Sequence, residues 1–241
     1  MAKKDLAKTI LRTLIYADIF DYPLKREEIG KWLIGSKIIN YKLQIINQLQ
    51  NSKLIKKKNG YYFLKERENI INIRLQRESY AKEKLKLAKK ITSILKIIPT
   101  IQLIGITGAL AMNNTKKDDD IDLFIITSAN FLWTTRFFTT MIVEFTGLRR
   151  HRGEYIANDK ICLNMFVDDE HLEVPKKEQD LFAAHEVLQM KPIFQRKSIY
   201  PKFLTANKWV NKYLPNAYNE MILTTKPKDT SGVARWTPPR W

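Results

Sequence analysis

The chain holds a single cysteine, Cys162, and three histidines among 241 residues. One cysteine excludes a disulfide framework and a zinc site built from thiolates, and it suits a reducing compartment, so a cytoplasmic protein is expected. Within an apolar strand, Cys162 itself reads as a small packing residue. His151, His171 and His185 are scattered, and the segment HEVLQ at 185–189 lacks the second histidine of a zinc-protease helix. No long apolar run is present: the longest, Phe131 to Gly147, is short and broken by Arg136 and Glu144. It reads as a core helix and leaves no membrane partner expected. The opening MAKKDLAKTILRTLIYADIF interrupts its apolar residues with Asp5, Lys8, Arg12 and Asp18, which is not the pattern of a secretory leader. No internal repeat is found.

Acidic residues are also scarce. Asp and Glu number 25 against 42 Lys and Arg, a formal net charge of +17. That is more than solubility requires, and it makes an anionic partner the leading expectation. The excess is uneven, with +14 in residues 1–100 and +3 in residues 101–241. A hydrophobic fraction of 44% supplies enough apolar material for one large or two modest domains.

In the basic N-terminal part, Leu6, Ile10, Leu11, Leu14 and Ile15 recur at helical spacing, and the run stops before Pro23. A second short helix is expected over KREEIGKWLIG and a third over NYKLQIINQLQN. The segment LIKKKNGYYFLK then reads as a hairpin, because Asn59-Gly60 suits the positive φ angles of a two-residue turn. Three helices followed by a lysine-rich hairpin is the order of a winged helix-turn-helix domain, expected over residues 1–65. Lys42, Gln44, Asn47 and Gln48 would line the outward face of its third helix, and Lys56, Lys57 and Lys58 would lie in the wing against phosphates. Double-stranded DNA or another nucleic acid is the expected partner of such a module, while winged helices also serve as protein-docking elements and lysine runs as solvated faces. Residues 66–98 contain no Pro or Gly and predict one long connecting helix with a charged middle, RESYAKEKLKLAKK, and an apolar end.

After Pro99 the pattern changes. IQLIGITGALAMNNTKKDDDIDLFIIT predicts a strand, a glycine turn, a short helical piece, a polar loop and a second strand. Period-two alternation sends Asp120 and Asp122 to one face, about 7 Å apart along the strand, where two carboxylates can share a divalent cation that bridges phosphates. At Thr107-Gly108-Ala109 small side chains let a phosphate approach backbone N–H groups.

These residues resemble the nucleotidyltransferase superfamily of DNA polymerase beta. Its signature is a Gly-Ser or Gly-Gly turn, about ten residues, then Asp-hydrophobic-Asp; here Gly108-Ala109, ten residues and Asp120-Ile121-Asp122-Leu123 stand at that spacing. The chain further resembles prokaryotic nucleotidyltransferase-domain proteins with an N-terminal winged helix, through DIFDYPL (18–24), the charged long helix, Trp133 with Arg136, and CLN (162–164). The resemblance implies an α+β fold with a mixed sheet and flanking helices over 99–225. It also implies Mg²⁺ or Mn²⁺ on Asp120 and Asp122, and a nucleoside triphosphate whose phosphates meet Thr107, Gly108 and Ala109. The implied activity is transfer of a nucleotidyl group to an acceptor. The alternative is a DNA-binding regulator whose second domain senses a nucleotide or is non-catalytic.

Two residues depart from the superfamily pattern. Ala109 lacks the hydroxyl commonly offered to a phosphate. The strand KICLNMFV aligns Asn164 with a third carboxylate, and an amide can ligate a metal but cannot take a proton. Asp159, Asp168 and Asp169 flank that strand as other sources of the missing group. Arg149-Arg150-His151-Arg152 either complements a helix C-terminus or holds ligand phosphates. Two more helices are expected over 178–190 and 203–214, and residues 226–241, without periodicity, are expected to form a disordered tail.

Overall fold

A computed structural model describes residues 3–37, 52–151, 153–154 and 157–225. The chain divides into two compact units, each assembled from separate stretches of sequence. Unit 1 takes Met1–Gln76, Gln179–Leu188 and Lys208–Leu223, and unit 2 takes Arg77–Glu178, Gln189–Asn207 and Thr224–Trp241. Eight α-helices and two sheets among the described residues make the chain α+β. No helix among them is long and apolar enough to cross a membrane.

In unit 1, α1 (Lys3–Asp18) buries Leu6, Ile10 and Leu14, the stripe its periodicity demands. The helix is closed by a turn in which the Tyr22 amide donates to the Ala17 carbonyl at 3.1 Å and Asp21 takes φ 52°. The two aspartates of DIFDYPL share one cation: the Arg67 guanidinium donates to Asp18 at 2.9 Å and to Asp21 at 2.7 Å. Next come β1 (Leu24–Lys25), α2 (Arg26–Lys31), β2 (Ile55–Lys58) and β3 (Tyr61–Leu64), an antiparallel sheet ordered β1-β3-β2. The hairpin pairs Lys58 with Tyr61, leaving Asn59 (φ 51°) and Gly60 (φ 82°) as the two-residue turn. The third helix expected over 40–51, with Lys42, Gln44, Asn47 and Gln48, lies outside the described residues, as does the tail expected over 226–241.

The long helix α3 (Ile70–Leu95) starts in unit 1 and continues in unit 2. Its charges are not all solvated, as a solvated surface helix would require. Arg74 is buried, donating to the Pro23 carbonyl at 2.5 Å and to both Glu28 carboxylate oxygens at 2.7 and 2.8 Å, with Tyr22 stacked on its guanidinium. Further along, Lys84 joins Ala81, Ala88, Ile91 and Leu95 in the buried stripe.

Unit 2 is built on β4 (Ile101–Ile106), β5 (Ile121–Thr127), β6 (Ile161–Asp168) and β7 (Lys191–Gln195), in the order β6-β5-β4-β7. The sheet is mixed: β4 runs antiparallel to β5 and β7, and β5 runs parallel to β6. All six residues of β4 are buried between neighbours on both edges, and its one polar side chain, Gln102, donates to the Ser128 hydroxyl at 2.7 Å. Strand β7 departs from the sequence pattern, in which Pro192 reads as a break. On an edge strand the missing proline N–H costs no ladder bond, and β7 is an edge.

Between these strands lie α4 (Gly108–Ala111) and α5 (Leu132–Phe145), and after β6 come α6 (Leu181–Gln189), α7 (Ile199–Ala206) and α8 (Pro215–Thr225). The helix expected over 203–214 is corrected to α7, a 3₁₀ turn at Lys208–Lys212, and α8. Asn207 separates α7 from that turn. Fully buried, its amide nitrogen donates to Leu172 and Phe203 carbonyls while its oxygen accepts from the Val174 amide at 2.9 Å. Helix α5 is inverted in character, with Thr135, Thr139 and Val143 buried and Trp133, Phe137, Phe138 and Phe145 exposed.

Within unit 1, the α6 residue His185 is stacked on Tyr16 at 4.1 Å between ring centroids, and its Nδ1 faces the Leu181 carbonyl at 2.9 Å. Burial penalises the imidazolium and holds this pKa at about 4, below the ordinary 6.5. A base depressed on folding contributes stability above its unfolded pKa, and that contribution disappears as pH falls from 6.5 through about 4. Chemical denaturation across this window should show the wild type losing about 3 kcal/mol, and His185→Phe should remove that part of the slope.

Candidate functional site

Strand β4 is followed by Thr107, whose amide donates to the Asp122 carbonyl at 3.2 Å across the antiparallel pair. Gly108 follows with φ +63°, and a Cβ added there would stand 2.8 Å from Asp122 Oδ2. Two constraints therefore demand glycine: a left-handed backbone and the carboxylate pressed against its Cα. Ala109 sits in the first turn of α4 and its carbonyl accepts the Asn114 amide at 2.9 Å, which folds the chain back into the polar loop.

Asp120 immediately precedes β5 and Asp122 lies within it. The parallel register sets Asp122 beside Cys162 on β6, and one donor atom each from Asp120, Asp122 and Cys162 falls within 4.8 Å of the others. The Cys162 thiol lies beside the Asp122 carboxylate. Burial, then the like charge of Asp120, raises the Asp122 pKa above its ordinary value, opposed by the thiol and by Arg150. Burial, then Asp122, pushes the Cys162 thiol up to about 12. Arg150 forms an ion pair with Asp120, and its amide donates to the Ile161 carbonyl at 3.0 Å.

The donor set fits a divalent cation. Two crowded carboxylates, one of them resisting ionisation, are relieved by positive charge, and carboxylate oxygens suit Mg²⁺ or Mn²⁺. Cys162 would ligate only as a thiolate, a softer ligand than oxygen and one that burial beside Asp122 opposes. Sequence alone reads Cys162 as a packing residue; its place beside Asp122 comes from the β5–β6 register, for which the sequence carries no local signal. Asn164 lies two residues beyond Cys162, exposed, where the β5–β6 register shifts between Asp122 and Phe124. The flanking acids have other partners: Asp159 pairs with Lys84 at 2.8 Å, Asp168 with His171 at 2.7 Å, and Asp169 accepts the Ala129 amide at 2.8 Å.

The loop between α4 and β5 is held from two elements, α3 and β7. Arg77 donates to the Asn114 side chain at 3.2 Å, Lys191 to that of Asn113 at 3.0 Å, and Lys84 to the carbonyls of Lys117 and Asp119 at 3.0 and 2.7 Å. Within the loop, Asp119 accepts from the Lys116 amide at 2.7 Å. Of the basic cluster, Arg149 pairs with Glu144 at 2.9 Å, and Arg152 lies outside the described residues. In unit 1, Lys56, Lys57 and Lys58 are exposed along β2, with Lys58 against Glu68. Lys42 and Gln44 lie outside the described residues.

No protein-family model matches the chain, and no curated protein matches it. Among solved structures, the crystal structure of a toxin-antitoxin with AMP-PNP is similar at 14% identity and a TM-score of 0.31, covering 57% of this chain and 94% of that one. A likeness of that size bears on neither ligand nor activity.

Gly108→Ala should cost about 1–2 kcal/mol from the positive φ alone, plus the displacement of Asp122. Urea unfolding of the single and double variants checks this. In an Asp122→Ala background the clash is gone, so the cost of Gly108→Ala should fall toward the backbone part.

Proposed function

We propose that unit 2 is a metal-dependent nucleotidyltransferase, moving a nucleotidyl group from a nucleoside triphosphate to a hydroxyl or phosphate acceptor. The observation that carries this reading is the meeting of a left-handed glycine turn with the Asp120–Asp122 pair, the turn's Gly108 lying directly against the Asp122 carboxylate. It agrees with the resemblance of these motifs to the polymerase beta superfamily. A divalent ion on Asp120 and Asp122 would supply positive charge for the phosphates and for the charge that develops in transfer.

The chain's own residues do the positioning. The turn at Thr107, Gly108 and Ala109 offers small side chains where phosphates approach backbone N–H groups. Asp120 and Asp122 fix where the negative charge of the triphosphate is neutralised. Arg150, already beside Asp120, adds a cation at the same edge. In the transfer the acceptor oxygen bonds to the α-phosphorus, the bond to the bridging oxygen breaks, and pyrophosphate leaves. Incubation with α-labelled nucleotides, Mg²⁺ or Mn²⁺ and a pool of acceptors should transfer label, and Asp122→Ala should reduce it at least about 100-fold. Absence of label with every nucleotide and both metals would sink the reading.

A second reading rests on a separate observation, the exposed lysines of the β2 strand together with +14 in the first 100 residues. In it the N-terminal part is a winged helix on duplex DNA and unit 2 senses a nucleotide. Binding would then weaken steeply with salt. Changing Lys56, Lys57 and Lys58 together to Ala should lower affinity for all duplexes alike and flatten the slope of log K against log salt by about 0.9 for each phosphate no longer neutralised. Filter binding at several salt concentrations measures this, and an unaltered slope counts against the wing as a phosphate-binding element.

A further inference from the structure

Lys84 is the least expected charge in the molecule. It belongs to the lysine-rich middle of α3, yet its side chain is 3% exposed. An ammonium carries three donors, and here each has an oxygen: the Lys117 carbonyl at 3.0 Å, the Asp119 carbonyl at 2.7 Å and Asp159 Oδ1 at 2.8 Å. The three acceptors belong to two segments. Lys117 and Asp119 lie in the loop that delivers Asp120 and Asp122 into β5. Asp159, with φ 58°, lies in the turn that delivers Cys162 into β6.

These two segments also touch directly, since the Ile121 amide donates to the Lys160 carbonyl at 2.8 Å. The Asp119 carbonyl belongs to the peptide that precedes Asp120, so a hydrogen bond there fixes the plane from which Asp120 projects. Removing a lysine from water costs several kcal/mol unless every donor is matched, and a well-packed apolar side chain of similar size is often no less stable at such a place. Stability alone therefore gives no reason for a charge here, whereas the two strand entries it joins give one.

We propose that Lys84 is a positioning residue of the candidate metal site, tying the entry of β5 to the entry of β6 so that Asp120, Asp122 and Cys162 are held within reach of one cation. This rests on the reading of those residues as a metal site, and it adds to that reading a residue from a helix outside the motif. Groups that orient metal ligands change metal affinity by about 10–100-fold when removed.

The test uses the full chain and two readouts. Lys84→Met keeps the volume and removes the three hydrogen bonds; Asp159→Ala removes one acceptor from a partly exposed side chain and serves if Lys84→Met does not fold. Mn²⁺ affinity, followed by the paramagnetic resonance of free Mn²⁺, should weaken about tenfold or more in Lys84→Met and about threefold in Asp159→Ala, with circular dichroism unchanged. Cys162 is the only cysteine in the chain. Its alkylation rate by iodoacetamide at one fixed pH reports the β5–β6 entry without metal, and it should rise several-fold in both variants. If wild type binds no Mn²⁺ but alkylation still rises, the metal reading fails while the positioning role stands. A folded variant with wild-type Mn²⁺ affinity and wild-type alkylation overturns the proposal.

Discussion

Crowding of negative charge at the start of β5 is the constraint around which unit 2 is arranged. Asp119, Asp120 and Asp122 fall within four residues, and Asp122 is largely shielded from water by the sheet. Burial raises the cost of ionising Asp122, and the like charges of Asp120 and Asp119 add to it. The fold answers from distant sequence with Arg150 against Asp120 and the Cys162 thiol against Asp122, and from the loop itself with the Thr115 hydroxyl and the Lys116 amide on Asp119. Lys84 contributes differently, holding carbonyls and Asp159 instead of the crowded carboxylates themselves.

That arrangement explains how much is legible in the sequence. The Gly-Ala turn, the ten-residue spacing and the Asp-Ile-Asp alternation are local, and local periodicity carries straight into geometry: β4, α4 and β5 stand where those residues predict them. The hairpin at Asn59-Gly60 is equally local, because two positive φ angles in succession restrict the residue choice severely. Cys162 is different. Its partnership with Asp122 follows from a parallel register between strands about 40 residues apart, and no short-range pattern encodes register. The burial of Lys84 is hidden for a related reason: eight charges in fourteen residues look solvated until a loop elsewhere supplies carbonyl acceptors.

The strand at Pro192 and the helix break at Asn207 show the other side of the same rule. Proline and asparagine punctuate structure only where their backbone or side-chain groups would be left unmatched. At an edge strand the proline has nothing to lose, and inside a helical pattern the asparagine gains more from two tertiary hydrogen bonds, to Leu172 and Val174, than from extending the helix. The assembly of unit 1 from three separate stretches is likewise invisible to a linear reading. It depends on pairs such as Asn216 with the Gly30 carbonyl at 2.8 Å, almost two hundred residues apart in sequence.

The thiol at the third corner alters what the site can do chemically. A carboxylate there would compete with Asp122 for protons and add a third negative charge to an already strained cluster. A neutral thiol instead lowers the cost of ionising Asp122 and leaves the net charge of the corner at that of two carboxylates and one guanidinium. Such a site attracts a cation less strongly than three carboxylates would, because two negative charges face it and Arg150 cancels part of one. The geometry of the ligands then matters more to affinity than their number. The Asp120 loop is accordingly held by side chains of two other elements, Arg77 and Lys84 of α3 and Lys191 of β7, acting on its amide and carbonyl oxygens.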